Sequence, residues 1–235
     1  MEALQIRGGL PLRGSVVASG AKNAITKMLV ASLLSDKVCT FYNVPNISEV
    51  DITLALCREI GMEVQWDRTE NKLRTITKKI ITSHIPQKFS GANRIPILLI
   101  GALLGRTNNE IIVPISGGCK IGKRPIDFHI TALEKLGASI EYQITEREKA
   151  YRATVSSKLV GTTIELPYPS VGATENSILA GCSADGQTIV KNAAIEPEIL
   201  DFIKFLQKMG ASIRVDNRTI YIAVSYTHLR AHETR

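Results

Sequence analysis

The chain has 235 residues, 44% of them hydrophobic, and carries a net charge of +7 with a pI near 9.3. That length supports one large domain or two small ones with a genuine core, and with aromatics at only 5% the core must be filled by aliphatic side chains. The basic balance points to anionic partners, and to small phosphates rather than nucleic acid, because no run of five like charges occurs and the cations are not interleaved with aromatics.

In chain order, Ser19-Gly20-Ala21-Lys22-Asn23 opens a first apolar helical stretch, and the segment 38–44 reads as extended. A helix starting at Asp51 then runs into Gly61 and a strand. Ser90-Gly91-Ala92-Asn93-Arg94 opens a second apolar stretch from Ile95 to Leu104, too short to span a membrane, followed by an extended segment 110–114. A helix from Asp127 ends at Gly137 before another strand. Val171-Gly172-Ala173-Thr174-Glu175-Asn176 opens a third apolar stretch, 187–192 reads as extended, and a helix from Glu198 ends at Gly210 before a last strand. The glycines at 61, 137 and 210 lie 76 and 73 residues apart, and the Gly-Ala pairs lie 71 and 81 residues apart. Two markers alternating in phase predict three copies of one unit with two helices each, hence an α/β domain with pseudo-threefold symmetry.

Between the second and third copies lies Gly117-Gly118-Cys119-Lys120-Ile121-Gly122-Lys123-Arg124-Pro125. Three cations surround one thiol and favour its thiolate form. The helix that follows offers an N-terminus to a phosphate. Two readings stay open on these residues alone: a reactive thiol beside an anion site, or a mobile basic loop with an incidental cysteine. The other cysteines, Cys39, Cys57 and Cys182, lie in apolar or small-residue segments and are expected to pack inertly. No CxxC pair or zinc-like His/Cys spacing occurs, so free thiols in a reducing cytoplasm, with no metal or cofactor, are expected. The segment Met1–Arg7 has no signal-peptide apolar region. His129 is expected to be a packed core histidine and Asp127 to cap or orient its helix.

Taken together and in order, Ser19 to Ala24, the Cys119 loop with Arg124-Pro125-Ile126-Asp127-Phe128-His129, Ser170 to Asn176 and Glu196-Pro197-Glu198 resemble the enolpyruvyl transferases, in particular those acting on UDP-N-acetylglucosamine. The resemblance covers roughly residues 1–223. It implies transfer of the enolpyruvyl group of phosphoenolpyruvate to the 3′-hydroxyl of the nucleotide sugar with release of phosphate, the step that opens peptidoglycan synthesis. It implies a fold of βαβαββ units, three per domain, in an inside-out α/β barrel. By the same resemblance Cys119, Lys22 and Arg124 are the catalytic groups, Cys119 being the proton donor and the target of fosfomycin. Lys22 and Asn23 bind phosphoenolpyruvate. Arg94, Arg124, Pro125, Ile126, Asp127, Phe128, Ser170, Val171 and Gly172 bind UDP-N-acetylglucosamine. The Asn93-Arg94-Ile95-Pro96 stretch departs from the family's commoner Met-Arg-Ala form. The shikimate-type enolpyruvyl transferases share the fold but lack the Gly-Gly-Cys loop, and a basic nucleic-acid-binding module has only the net charge in its favour.

The resemblance also divides the chain. Residues 1–21 are expected to belong to another domain, residues 22–223 to form one complete threefold-repeat domain, and residues 224–235 to be a tail foreign to the fold, similar to a translated sequencing adapter, whose His228 and His232 are not a metal site. The family's aspartate acting on the sugar hydroxyl, and several of its arginines for phosphoenolpyruvate, come from the other domain, so this polypeptide is expected to be inactive alone.

Overall fold

The computed structural model describes residues 3–9, 11–117, 126–145 and 149–223, together with the backbone of 233–234. The first copy consists of helix α1 (Lys22–Ala31), strand β1 (Cys39–Phe41), helix α2 (Ser48–Ile60) and the hairpin β2 (Glu63–Asp67) and β3 (Lys72–Ile76). The second repeats this order with α3 (Ile95–Leu103), β4 (Ile111–Pro114), α4 (Asp127–Lys135), β5 (Ala138–Ile144) and β6 (Lys149–Val155). The third comprises β7 (Thr163–Glu165), α5 (Val171–Gly181), β8 (Thr188–Lys191), α6 (Pro197–Lys208), β9 (Ser212–Asp216) and β10 (Thr219–Ala223).

Each copy folds its strands in the same order. The hairpin pairs antiparallel through its second strand onto the strand between the helices, giving β1-β3-β2, β4-β6-β5 and β8-β10-β9. The strand between the helices also takes a parallel neighbour on its other edge. That neighbour is β7 beside β8, a single bridge from His84 to Ile112 of β4, and β11 (Glu233–Thr234) beside β1. The repeat predicted from glycine spacing is therefore real. The helix-ending glycines have φ of 119° at Gly61, 100° at Gly137 and 105° at Gly210, the left-handed conformation that ends a helix and that L side chains resist.

The two kinds of helix differ in sequence for a physical reason. Every residue of α3 is buried, as are Ala173 to Gly181 of α5, and a helix apolar on all sides belongs in the interior. Helices α2, α4 and α6 bury one face only. Helix α3 packs against both α1 and α5, with α2 and α6 on α1 and α4 on α5. The ring of copies closes where Phe41 of β1 meets Phe205 of α6, ring centroids 5.4 Å apart.

The Gly-Ala markers are less uniform than their spacing suggests. The first lies just ahead of α1 and the second ahead of α3, but Gly172 and Ala173 lie inside the first turn of α5. The helix starts there because Ser170 caps it, its hydroxyl accepting from Ala173 N at 3.4 Å. Residues 3–9 and 11–20 hold no helix or strand, and Leu4, Ile6, Leu12, Val16 and Val17 are almost fully exposed. Among the described residues, no helix is long and apolar enough to cross a membrane.

Candidate active site

Four helix starts carry the expected substrate-binding residues that lie within the described part of the chain. Lys22 and Asn23 form the first turn of α1, where a helix N-terminus favours an anion. Lys22 Nζ stands 2.9 Å from Glu49 Oε1, in the first turn of α2. That hydrogen bond from the lysine is the main reason the Glu49 carboxyl sits below its ordinary range. The cation expected to meet a phosphate thus faces a carboxylate, and both side chains are solvent-accessible.

Arg94 immediately precedes α3, whose first amides are capped by side chains. Asn93 Oδ1 accepts from Ile95 N at 3.0 Å, and Ser116 Oγ accepts from Ile97 N at 3.2 Å. The segment bearing Ser116 is tied to the same place by its backbone, with Gly91 N donating to Ile115 O at 3.0 Å and Gly117 N donating to Asn93 O at 2.8 Å. At position 117 a Cβ would stand 1.9 Å from Gly91 O, so only glycine permits this approach. The residues that lead into the Gly-Gly-Cys loop are therefore anchored against Gly91 and Asn93, next to Arg94 in the chain. Cys119, Arg124 and Pro125 lie outside the described residues.

Ile126, Asp127 and Phe128 begin α4. Asp127 makes no side-chain cap; it is the acidic residue of the first turn and acts on the helix dipole. Ile126 and Phe128 pack half-buried on the core. His129 is 3% exposed, as expected of a core histidine. Its Nδ1 lies 3.3 Å from Asn176 Nδ2. The orientation of that amide follows from its other bonds, since Gly101 N donates to Asn176 Oδ1 at 3.1 Å and Asn176 Nδ2 donates to Ile97 O at 3.2 Å. Nδ2 therefore donates to His129 Nδ1, which leaves the imidazole proton on Nε2. Burial, reinforced by the positive charge of Arg94, pushes the His129 imidazole down to about 3. Arg94 thus lies within electrostatic reach of His129, and His129 in turn lies against Gly172.

Asn176 ties α3, α4 and α5 together. Three of the four helix starts that carry expected site residues, those of Arg94, of Ile126-Asp127-Phe128 and of Ser170-Val171-Gly172, are held in one constellation by it. Ser116, Asn93 and Asn176 were not singled out from the sequence as site-forming. Asn176 stood inside the third marker, where a polar residue amid an apolar helical stretch was the available signal. A surface hollow of about 730 Å³ on the β2–β3 hairpin, lined by Trp66, Arg68 and Lys72 among others, shares no residue with this constellation.

The three βαβαββ copies form an α/β ring of the enolpyruvyl transferase type, and the chain belongs to the EPSP synthase (3-phosphoshikimate 1-carboxyvinyltransferase) family, whose model matches residues 6–231. Over 223 residues it is 66% identical to the UDP-N-acetylglucosamine 1-carboxyvinyltransferase of Protochlamydia amoebophila, covering 94% of this chain and 48% of the relative. It is 51% identical to the protein of the same name from Chlamydia abortus, covering 94% of this chain and 49% of that one. The chain thus spans about half the length of the curated relatives it matches. Among solved structures, the enolpyruvyl transferase NikO from Streptomyces tendae superposes with a TM-score of 0.82 at 19% identity, over 97% of this chain and 52% of that one. EPSP synthase from Acinetobacter baumannii superposes at 0.73 with 17% identity, over 93% and 49%. These two likenesses establish the shared fold.

Proposed function

We propose that this chain is the Cys119-bearing part of a UDP-N-acetylglucosamine 1-carboxyvinyltransferase. The reaction moves the enolpyruvyl group of phosphoenolpyruvate to the 3′-hydroxyl of UDP-N-acetylglucosamine and releases phosphate. The observation that carries this reading is the 66% identity over 223 residues to a relative of that name. The shikimate-type alternative rests on the family model's description and on structures at 16–17% identity, which speak for the fold only.

On this reading the residues divide the work by chemistry. Both substrates are phosphate-bearing, so Lys22 and Arg124 meet developing and departing negative charge, the role for which preorganised cations are most effective. Asn23 joins Lys22 on phosphoenolpyruvate. Cys119 gives a proton to the methylene carbon of phosphoenolpyruvate as the sugar oxygen, losing its own proton to a base from the other half of the enzyme, adds to the neighbouring carbon; the tetrahedral adduct then loses phosphate together with a proton from the new methyl group, which forms the enol ether. Arg94, Pro125, Ile126, Asp127, Phe128, Ser170, Val171 and Gly172 hold the nucleotide sugar, whose diphosphate suits the amides at the start of α5. Residues 1–21, with their exposed apolar side chains, belong in this reading to the other half of the enzyme, and residues 22–223 form the repeat domain; residues 224–235 are a tail to that domain, though Glu233–Thr234 of it pair with β1 as β11. The enzyme works in the cytoplasm, where its substrates are made, and needs no nucleic acid or membrane.

The test is fosfomycin labelling of the 235-residue chain, followed by peptide mass spectrometry, with and without UDP-N-acetylglucosamine. Modification of Cys119 enhanced by the nucleotide sugar is the expected result. In parallel calorimetry, binding of shikimate 3-phosphate in preference to UDP-N-acetylglucosamine would overturn the assignment. The chain by itself is expected to show no enolpyruvyl transfer; turnover by the purified polypeptide would refute that part.

A further inference from the structure

Glu175 follows the capped first turn of α5, is 2% exposed, and pairs with one cation, Lys27 of α1, at 3.6 Å. The Lys27 side chain is itself only 15% exposed. Helix α3 packs on both α1 and α5 through aliphatic side chains, and the Lys27–Glu175 pair spans the remaining side of this inner trio.

Such a pair is a poor way to gain stability. Burial pushes the Glu175 carboxyl up to about 7 even though Lys27 pulls it down, so the cost of desolvation exceeds the gain from pairing. An apolar pair of similar volume would hold the two helices at least as well. What an ion pair supplies that an apolar contact does not is a fixed direction and a defined separation. The neighbour of Glu175, Asn176, already joins α5 to α3 and α4. Glu175 adds α1, the one helix with expected site residues that Asn176 does not reach.

We propose that the buried Lys27–Glu175 pair is a positioning device that ties α1 to α5 and so sets where the Lys22–Asn23 end stands relative to the Ser170–Gly172 end. The functional sense of this rests on reading those ends as the phosphoenolpyruvate and nucleotide-sugar ends; the mechanical coupling does not. The charged groups facing Glu175 are Lys27 from α1 and Glu198 from the start of α6, the latter a like charge that opposes its ionisation. Helix α3 presents only aliphatic residues, and His129 of α4 is turned to Asn176 and Gly172. Strands β8 and β10 meet α5 at its far end, where Gly181 lies against Thr188 and Ile222. Ionisation of Glu175 therefore makes or loosens one tie between α1 and α5.

The experiment is amide NMR of the 235-residue chain between pH 5.5 and 8.5, with Glu175→Gln as the comparison. Amides of Lys22–Ile25 and of Ser170–Gly172 are expected to shift together, in one transition with a midpoint near that of Glu175, about 7. The transition is expected to vanish in E175Q and to move to higher pH in Lys27→Met. Separate midpoints for the two ends, no transition, or its persistence in E175Q would overturn the proposal. If E175Q does not fold, the double variant Lys27→Met, Glu175→Leu serves instead. It should melt no lower than the parent yet lack the transition; a double variant whose two helix ends keep the parent's shifts at pH 8.5 would overturn the coupling. Titration of UDP-N-acetylglucosamine into the same samples separates the two ideas. A parent chain that shows the coupled transition but binds no nucleotide sugar would support the tie and sink the functional reading.

Discussion

The imidazole of His129 occupies the space that a side chain at position 172 would need. A Cβ on Gly172 would stand 2.9 Å from His129 Cε1 and 3.0 Å from Nε2. The ring cannot swing aside without giving up its bond with Asn176. The start of α5 therefore approaches α4 more closely than any residue but glycine allows, and the segment Ser170–Gly172, proposed to hold the nucleotide sugar, takes its position from a histidine beneath it.

Gly172→Ala should cost about 1–3 kcal/mol by overpacking, since the contact is with a buried ring held in place. Combining it with His129→Ala should recover much of that loss, because the two residues touch and their effects are not additive. Urea denaturation of the two single variants and the double variant measures this. Additive losses would show that the contact does not govern the position of α5.

Asn176→Leu removes the partner of Gly101 N, Ile97 O and His129 Nδ1 at once. Buried groups left without partners make this one of the costlier substitutions in the domain, about 2–4 kcal/mol. The checks are thermal melting, and hydrogen exchange at Gly101, whose amide should lose protection. A melting temperature equal to the parent's would contradict the role of Asn176 as the joint of three helices.

Two buried groups give stability opposite slopes with pH. His129 falls from 6.5 unfolded to about 3 folded, so its contribution is present above pH 6.5 and is lost as pH falls through 3. Glu175 rises from 4.5 unfolded to about 7 folded, so its contribution is present below pH 4.5 and is lost as pH rises through 7. Between pH 4.5 and 6.5 the two oppose each other, and stability should vary little from these groups. Glu175→Gln should expose the acid-side loss of His129, with stability falling as pH drops below 6.5. His129→Gln should expose the decline between pH 4.5 and 7. Denaturant midpoints at half-unit pH steps test this; identical profiles for E175Q and the parent would exclude Glu175 as a contributor.

Glu49→Gln removes the carboxylate facing Lys22. The pair is exposed, so global stability should not change measurably. If Lys22 binds phosphoenolpyruvate as proposed, the ligand and the Glu49 carboxylate compete for one cation, and the variant should bind phosphoenolpyruvate several-fold more tightly at low ionic strength, an advantage that shrinks as salt screens it. Calorimetric titration at two salt concentrations decides the matter, and unchanged affinity at low salt would show that Glu49 does not compete.

The repeat was legible because it rests on local chemistry. Gly61, Gly137 and Gly210 had to be glycine for their left-handed φ, so their spacing reported the unit length directly. The apolar stretch from Ile95 was legible as a helix, and its burial on every side came from the structure. The expected substrate-binding residues rest on resemblance alone, since Lys22 or Arg94 taken singly is an ordinary cation. What could not be read were their supports. Ser116 caps a helix about twenty residues before it in the chain, and Glu49 faces a lysine from a different helix.

The amino-acid order by itself determined three α/β units, two helices in each, and the family. These follow from the conformational preferences of glycine and from apolar periodicity, properties of neighbours in the chain. Only the tertiary structure decided that Asn176 joins three helix starts, that His129 sets the place of Gly172, and that Lys27 reaches Glu175. Those contacts join residues far apart in sequence, and they exist because close packing of the inner helices leaves each buried polar group one geometry in which its hydrogen bonds or charge can be met.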